Sequence, residues 1–143
     1  MRLFIDTNIW IYAFLEPADK KSADLVKRKI ILRKITDFLT TDDICTSIQA
    51  INEFHWILRK KYRIDDKTIN KKVKSIVEIS EVTKLSLETY HNSFKLREKH
   101  SISFWDSLML SSALLSDCTT FYSEDLQNDL IIEKKLKIMN PFL

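Results

Sequence analysis

Four carboxylates are the residues of this chain whose types and settings could do chemistry: Asp6, Glu53, Asp106 and Asp125. Asp6 follows Leu3, Phe4 and Ile5 directly, at the expected carboxyl end of an opening strand, and Asp125 comes just past a second β-prone run, "TTFYS". Glu53 lies in a helical pattern with Ala50, Trp56 and Ile57 three and four positions away, so its side chain does not point freely into water. Asp106 opens "FWDSLMLSSALL", a helix of almost wholly apolar or small residues. Each acid has a plain local reading. Asp6 can cap the next helix, a role that Asn8 could fill instead, leaving Asp6 free. Glu53 can be a solvated helix residue, Asp106 a first-turn acid facing the helix dipole, and Asp125 a turn acid beside Glu124 and Asp129. A burial of Asp106 with its helix, however, demands a partner for the charge. Carboxylates gathered on one sheet edge repel unless they share a hard divalent cation, and Mg²⁺ or Mn²⁺ with oxygen ligands suits phosphate chemistry.

Other chemistries are excluded by composition. The chain has no glycine, so no loop of the Walker, dinucleotide-binding or kinase type can cradle a phosphate. Its three histidines and two cysteines fall into neither CxxC nor HExxH spacing, which removes zinc; Cys45 and Cys118 read as small buried thiols in a reducing compartment. No apolar run reaches the length of a membrane span, and "MRLFIDTN" lacks the features of a secretory signal, so a cytoplasmic location is the default. A length of 143 residues suits one domain, 1–143, with a full core.

These acids must be positioned by alternating strands and helices. "RLFIDT" reads as a buried strand ending at Asp6. From Pro17, read as a first helical residue, Ala23, Val26, Ile30, Ile31, Ile35 and Phe38 recur at helical steps between lysines and arginines. "DICTS" is a second strand, and Ser47 caps a helix through "IQAINEFHWILRKKY". A further helix covers 65–79, followed by a short strand near "EVTKL". Ser86 caps the next helix, and Ser103 or Ser101 caps the apolar one. "TTFYS" and "KIMNPF" complete the strands. Such alternation predicts a parallel sheet covered on both faces, with ligands bound at the carboxyl ends of its strands.

The elements "FIDTN", "NEF" at 52–54, "FWDSLM" at 104–109 and "YSEDL" at 122–126, in that order across the chain, resemble the PIN-domain nucleases, most closely the single-domain VapC-type toxins. The resemblance implies a three-layer α/β/α sandwich with a central parallel sheet and metal-dependent cleavage of RNA. It implies Asp6, Glu53, Asp106 and Asp125 as the catalytic acids and metal ligands, with Asn8 and Ser123 orienting them by hydrogen bonds. Some relatives carry a further acid two residues after the fourth; here Gln127 stands there, which leaves open whether Gln127 or Asp129 serves a second metal. A homodimer and a small antitoxin that blocks the site are also implied.

The net charge is only +3, but setting the four acids aside widens the basic excess, and basic clusters occur at 27–34, 59–63 and 71–74. They are either solvated helix faces or rims that attract RNA. Tyr12, Trp56, Tyr62 and Trp105 could stack on unpaired bases; Trp56 and Trp105 are expected instead to pack near the site. Two rival readings place the same residues differently. A non-catalytic RNA-binding module would keep the fold with a decayed site, against which the full set of acids argues. A phosphoaspartyl phosphatase or receiver also puts an Asp after the first strand, but the phosphatase needs a second Asp where Asn8 stands.

Overall fold

The computed structural model describes residues 1–18, 22–40 and 43–143. Its elements are β1 (Leu3–Ile5), α1 (Thr7–Phe14), α2 (Ala23–Leu39), β2 (Ile44–Ser47), α3 (Ile48–Lys60), α4 (Asp66–Ile79), β3 (Glu81–Thr83), α5 (Leu87–Lys99), α6 (Phe104–Leu115), β4 (Thr120–Tyr122), β5 (Ile131–Ile132) and β6 (Leu136–Met139). The strands form one sheet in the order β3-β2-β1-β4-β6-β5, parallel throughout except that β5 runs antiparallel to β6. The expected α/β architecture with a central parallel sheet is therefore present.

β1 lies inside the sheet, and its three residues are fully buried because both faces are covered. Alternation along the strand sends Leu3 and Ile5 into one core and Phe4 into the other. The first core joins them to Trp10 of α1, Ile31 and Ile35 of α2, Phe54 and Leu58 of α3, and Ile69 and Ile76 of α4. The second joins Phe4 and Phe121, stacked at 5.1 Å between ring centroids, to Leu96 of α5 and Met109, Leu110 and Ala113 of α6. The chain moves from β1 outward to β2 and β3, then returns past β1 to β4. Right-handed crossovers made in opposite directions put their helices on opposite faces, which separates α1 to α4 from α5 and α6.

The serine caps fall where the sequence predicts them, and Asp65, read from the sequence as the first residue of its helix, is a cap instead. Ser47, Ser86 and Ser103 accept backbone N–H groups at the starts of α3, α5 and α6, and Asp65 does so for α4. One expectation is corrected. Pro17 opens no helix: α2 begins at Ala23 behind Ser22, whose extended backbone sets the boundary, while 19–21 lie outside the described residues. Only Ile31 and Ile35 of α2 are fully buried, and Val26 is exposed, because α2 meets the rest of the fold along a narrow stripe. The antiparallel β5 was not expected, two residues being too short to show a period.

The absence of glycine leaves a mark on the turns. Arg63, Asp117, Asp129, Glu133 and Lys134 all take positive φ. Glu133 and Lys134, at 52° and 57°, are the two central residues of the β5 to β6 turn, closed by Lys135 N–H donating to the Ile132 carbonyl at 3.0 Å. Two consecutive left-handed residues make this a type I′ turn, the kind that matches the twist of a hairpin.

Candidate functional site

The strand order reverses between β1 and β4, and the carboxyl ends of these two neighbours define a crevice of the kind that binds ligands in open α/β sheets. The register pairs Ile5 with Tyr122, so the next residues, Asp6 and Ser123, emerge side by side, with Asp6 N–H bonded to the Tyr122 carbonyl at 3.2 Å. Asp6 is the N-cap of α1, accepting from Thr7 N–H at 2.7 Å. Asn8, the alternative cap, lies inside α1 instead and turns its side-chain amide to the Asp125 carboxylate. The cap role therefore does not compete with a role in the crevice: one oxygen of Asp6 serves the helix.

Ser123 is fully buried and works in two directions. Its hydroxyl hydrogen-bonds the Asp6 carboxylate, and its oxygen accepts from the N–H groups of Asp125 and Leu126 at 3.2 and 3.3 Å. This bends the chain after β4 and turns Asp125 back toward Asn8. Glu53, half-buried on α3, has both oxygens held: Thr7 Oγ1 donates to one at 2.8 Å, and Gln49 Nε2 to the other at 3.1 Å. Gln49 also donates to the Trp105 carbonyl at 3.1 Å, tying α3 to the first turn of α6. Asp106 is half-buried in that turn, its N–H satisfied by the Ser103 hydroxyl at 3.1 Å.

The electrostatic centre is Asp6. Burial pushes its carboxyl up to about 7, against the lowering effect of the Thr7 and Ser123 hydrogen bonds, and the charges of Asp106 and Glu53 push in the same upward direction. The four sequence-predicted acids are thus linked in space: Asp106 and Glu53 through their field on Asp6, and Asp125 through Ser123 and Asn8. They do not form a closed cage. Among the described residues no three acidic, histidine or cysteine side chains stand close enough to hold an ion as they are. Their chemistry suits a hard cation all the same, since the donors are oxygens and Asp6 is a half-buried carboxylate whose lost hydration a proton or a cation would compensate. The Gln49 side-chain oxygen, buried beside Glu53 with no partner, is a further oxygen at the same place.

Gln127 is exposed, and Asp129 is engaged by Lys137 at 2.8 Å and Asn128 at 3.0 Å. Thr7 and Gln49, which fix Glu53, were not singled out in the sequence. The signal for Gln49 was its place four residues before Glu53 on a helix, where the two must be neighbours. Glu124, next to Asp125, is taken up by Lys27 and by the Tyr12 hydroxyl at 2.6 Å. Part of the basic cluster at 27–34 is therefore structural, as Arg28 also donates to the Ala13 carbonyl at 3.0 Å. The two tryptophans reverse expectation. Trp56 and Trp105 are each 63% exposed, because the apolar layers they were expected to join are already filled by Phe54, Leu58 and Met109.

The family model described as "PIN domain" matches residues 3–130. The chain belongs to the PIN-domain family. The match runs from β1 past β4 and so takes in every acid of the site. Solved structures with this PIN fold include a toxin-antitoxin complex from Klebsiella pneumoniae, at TM-score 0.69 and 16% identity over 99% of this chain and 98% of that one. VapBC2 from Rickettsia felis, bound to a DNA fragment from its promoter, superposes at TM-score 0.68 and 16% identity, covering 98% and 100% of the two chains. VapC20 from Mycobacterium tuberculosis, a toxin that cleaves the sarcin-ricin loop, gives 0.62 and 13% over 86% and 89%. At these identities the likeness is one of fold. No curated protein matches the chain in sequence.

Proposed function

We propose that this PIN-domain chain is a Mg²⁺- or Mn²⁺-dependent endoribonuclease, the VapC-type toxin of a toxin-antitoxin pair. The observation that carries the reading is Asp6: a carboxyl group at the topological switch point, raised to about 7 by burial and by two further acids, in a family of nucleases. Asp6 and Asp106 would hold the ion, with Asp125 and Glu53 extending its shell. The bound ion supplies Lewis acidity toward water and toward the phosphodiester. The protein's own groups do the rest. Thr7 and Gln49 hold the Glu53 carboxylate in one orientation, leaving it lone pairs with which to take a proton from an attacking water. Ser123 fixes Asp6 and, with Asn8, fixes Asp125, so that carboxylates which repel are kept from swinging apart.

The partners follow from the same reading: an RNA substrate, a small antitoxin and a second copy of the chain, acting in the cytoplasm as a single nuclease domain. No described helix is long and apolar enough to cross a membrane. Incubation of the purified protein with structured RNA, with Mg²⁺ or Mn²⁺ and with chelator, tests the proposal. Cleavage that requires metal and disappears in Asp106→Asn is expected. RNA that is bound and never cut would favour the non-catalytic module, and cutting undiminished in Asp106→Asn would mean that the acids are wrongly chosen.

A further inference from the structure

Trp56 and its neighbours have no part in the site described so far. Glu53, Trp56 and Lys60 are spaced three and four residues apart on α3, so they line one face of the helix, Lys60 lying about 10 Å along the axis from Glu53. That face borders a groove of about 420 Å³ lined by Asn8 and Asp125 of the acid group, by Trp56, Lys60, Lys61 and Tyr62, and by Asp24 and Glu124, the last of them already paired with Lys27. Trp56 is 63% exposed and Tyr62 41%. The Lys60 ammonium rests 5.0 Å from the Trp56 ring centroid, and that of Lys61 lies 5.4 Å from the Tyr62 ring. Neither lysine has a carboxylate partner among the described residues.

An exposed aromatic ring next to unpaired cations, on a helix face that leads away from a phosphodiester-cleaving centre, has the chemistry of a single-strand subsite. Bases stack on the ring, and backbone phosphates meet the ammonium groups. An apolar pocket of about 390 Å³ adjoins the groove and shares Ile11, Tyr12 and Tyr62 with it, but Trp56 and the two lysines are not among its lining, and around them the exposed apolar surface is broken up by charge. We propose that this groove holds the unpaired strand flanking the scissile phosphate, with a base on Trp56 and phosphates at Lys60 and Lys61. The assignment rests on the ribonuclease reading above. It also gives the enzyme a preference: the flank must be unpaired, since a base inside a duplex cannot reach the ring.

Binding of a labelled single-stranded RNA of mixed sequence, measured with Mg²⁺ in an Asp106→Asn background, separates the two readings. Trp56→Ala should weaken binding about 5- to 100-fold, and Trp56→Phe should restore most of it. Lys60→Ala and Lys61→Ala should each flatten the salt dependence of log K by up to about 0.7. In the cleaving enzyme Trp56→Ala should raise KM for a single-stranded substrate more than it lowers kcat. Undiminished binding by Trp56→Ala overturns the subsite while metal-dependent cutting by wild type upholds the nuclease. If wild type neither binds nor cuts RNA, both fall. If Trp56→Ala instead releases a protein that copurifies with wild type and leaves RNA binding alone, the groove is a protein interface and the RNA assignment is overturned. Trp56 is exposed, so a melt matching that of wild type is expected of the variant.

Discussion

Asp6 carries three obligations at once: it caps α1, accepts from Ser123 and stands in the field of two other acids. Its folded pKa of about 7 exceeds the value of 3.8 for a free side chain, so between those limits the folded protein retains a proton that the unfolded chain has released. The stability due to this group is full below about 4, falls as pH rises, and is lost once pH passes about 7. Asp6→Asn removes that dependence and keeps a good cap residue. Without metal, the variant should therefore gain on wild type from acid to neutral pH, by on the order of a few kcal/mol, in denaturant melts at stepped pH. The same variant should be inactive. Of these two proteins, only wild type should be stabilised by Mn²⁺, in proportion to saturation. Asp129→Ser, whose side chain faces Lys137, should respond to metal as wild type does; a response lost there and kept in Asp106→Ser would sink the assignment.

Elements show which local rules decided the fold. Ser47, Ser86 and Ser103 announced their helices because each is a polar residue before an apolar period, and that signal is wholly local. The acids were legible for a similar reason, lying where a strand or an apolar helix begins or ends. What stayed hidden depends on contacts between elements. Thr7 and Gln49 gain their meaning only once α1, α3 and α6 meet, and the exposure of Trp56 and Trp105 depends on cores already filled elsewhere. The turn at Glu133 and Lys134 invites a direct test. A non-glycine residue in the left-handed region costs about 1 to 2 kcal/mol, so Lys134→Gly should stabilise the protein by about 1 kcal/mol. Lys29→Gly, on an exposed position inside α2, should cost about the same amount. Thermal melts of the pair at one pH would check both; a destabilised Lys134→Gly would mean that the turn is not strained. Ser103→Ala should cost about 1 kcal/mol and also reduce cleavage, because the N–H it leaves unpaired is that of Asp106.

At the scale of the whole molecule, the reversal of strand order gathers residues from both ends of the chain: Asp6 from the first strand, Asp125 from beyond the fourth. β1 is paired on one side by β2 and on the other by β4, with Ile5 opposite Tyr122. During synthesis the first strand therefore leaves the ribosome long before its second neighbour exists. A nascent chain halted after Leu115 would hold Asp6, Glu53 and Asp106 but offer β1 with one bare edge, and without Ser123 to steady Asp6. Such a fragment should bind no metal and cut no RNA in a translation-arrest assay. The ordering of the strands thus keeps the acids of the crevice from being assembled until β4 and the residues after it have been delivered.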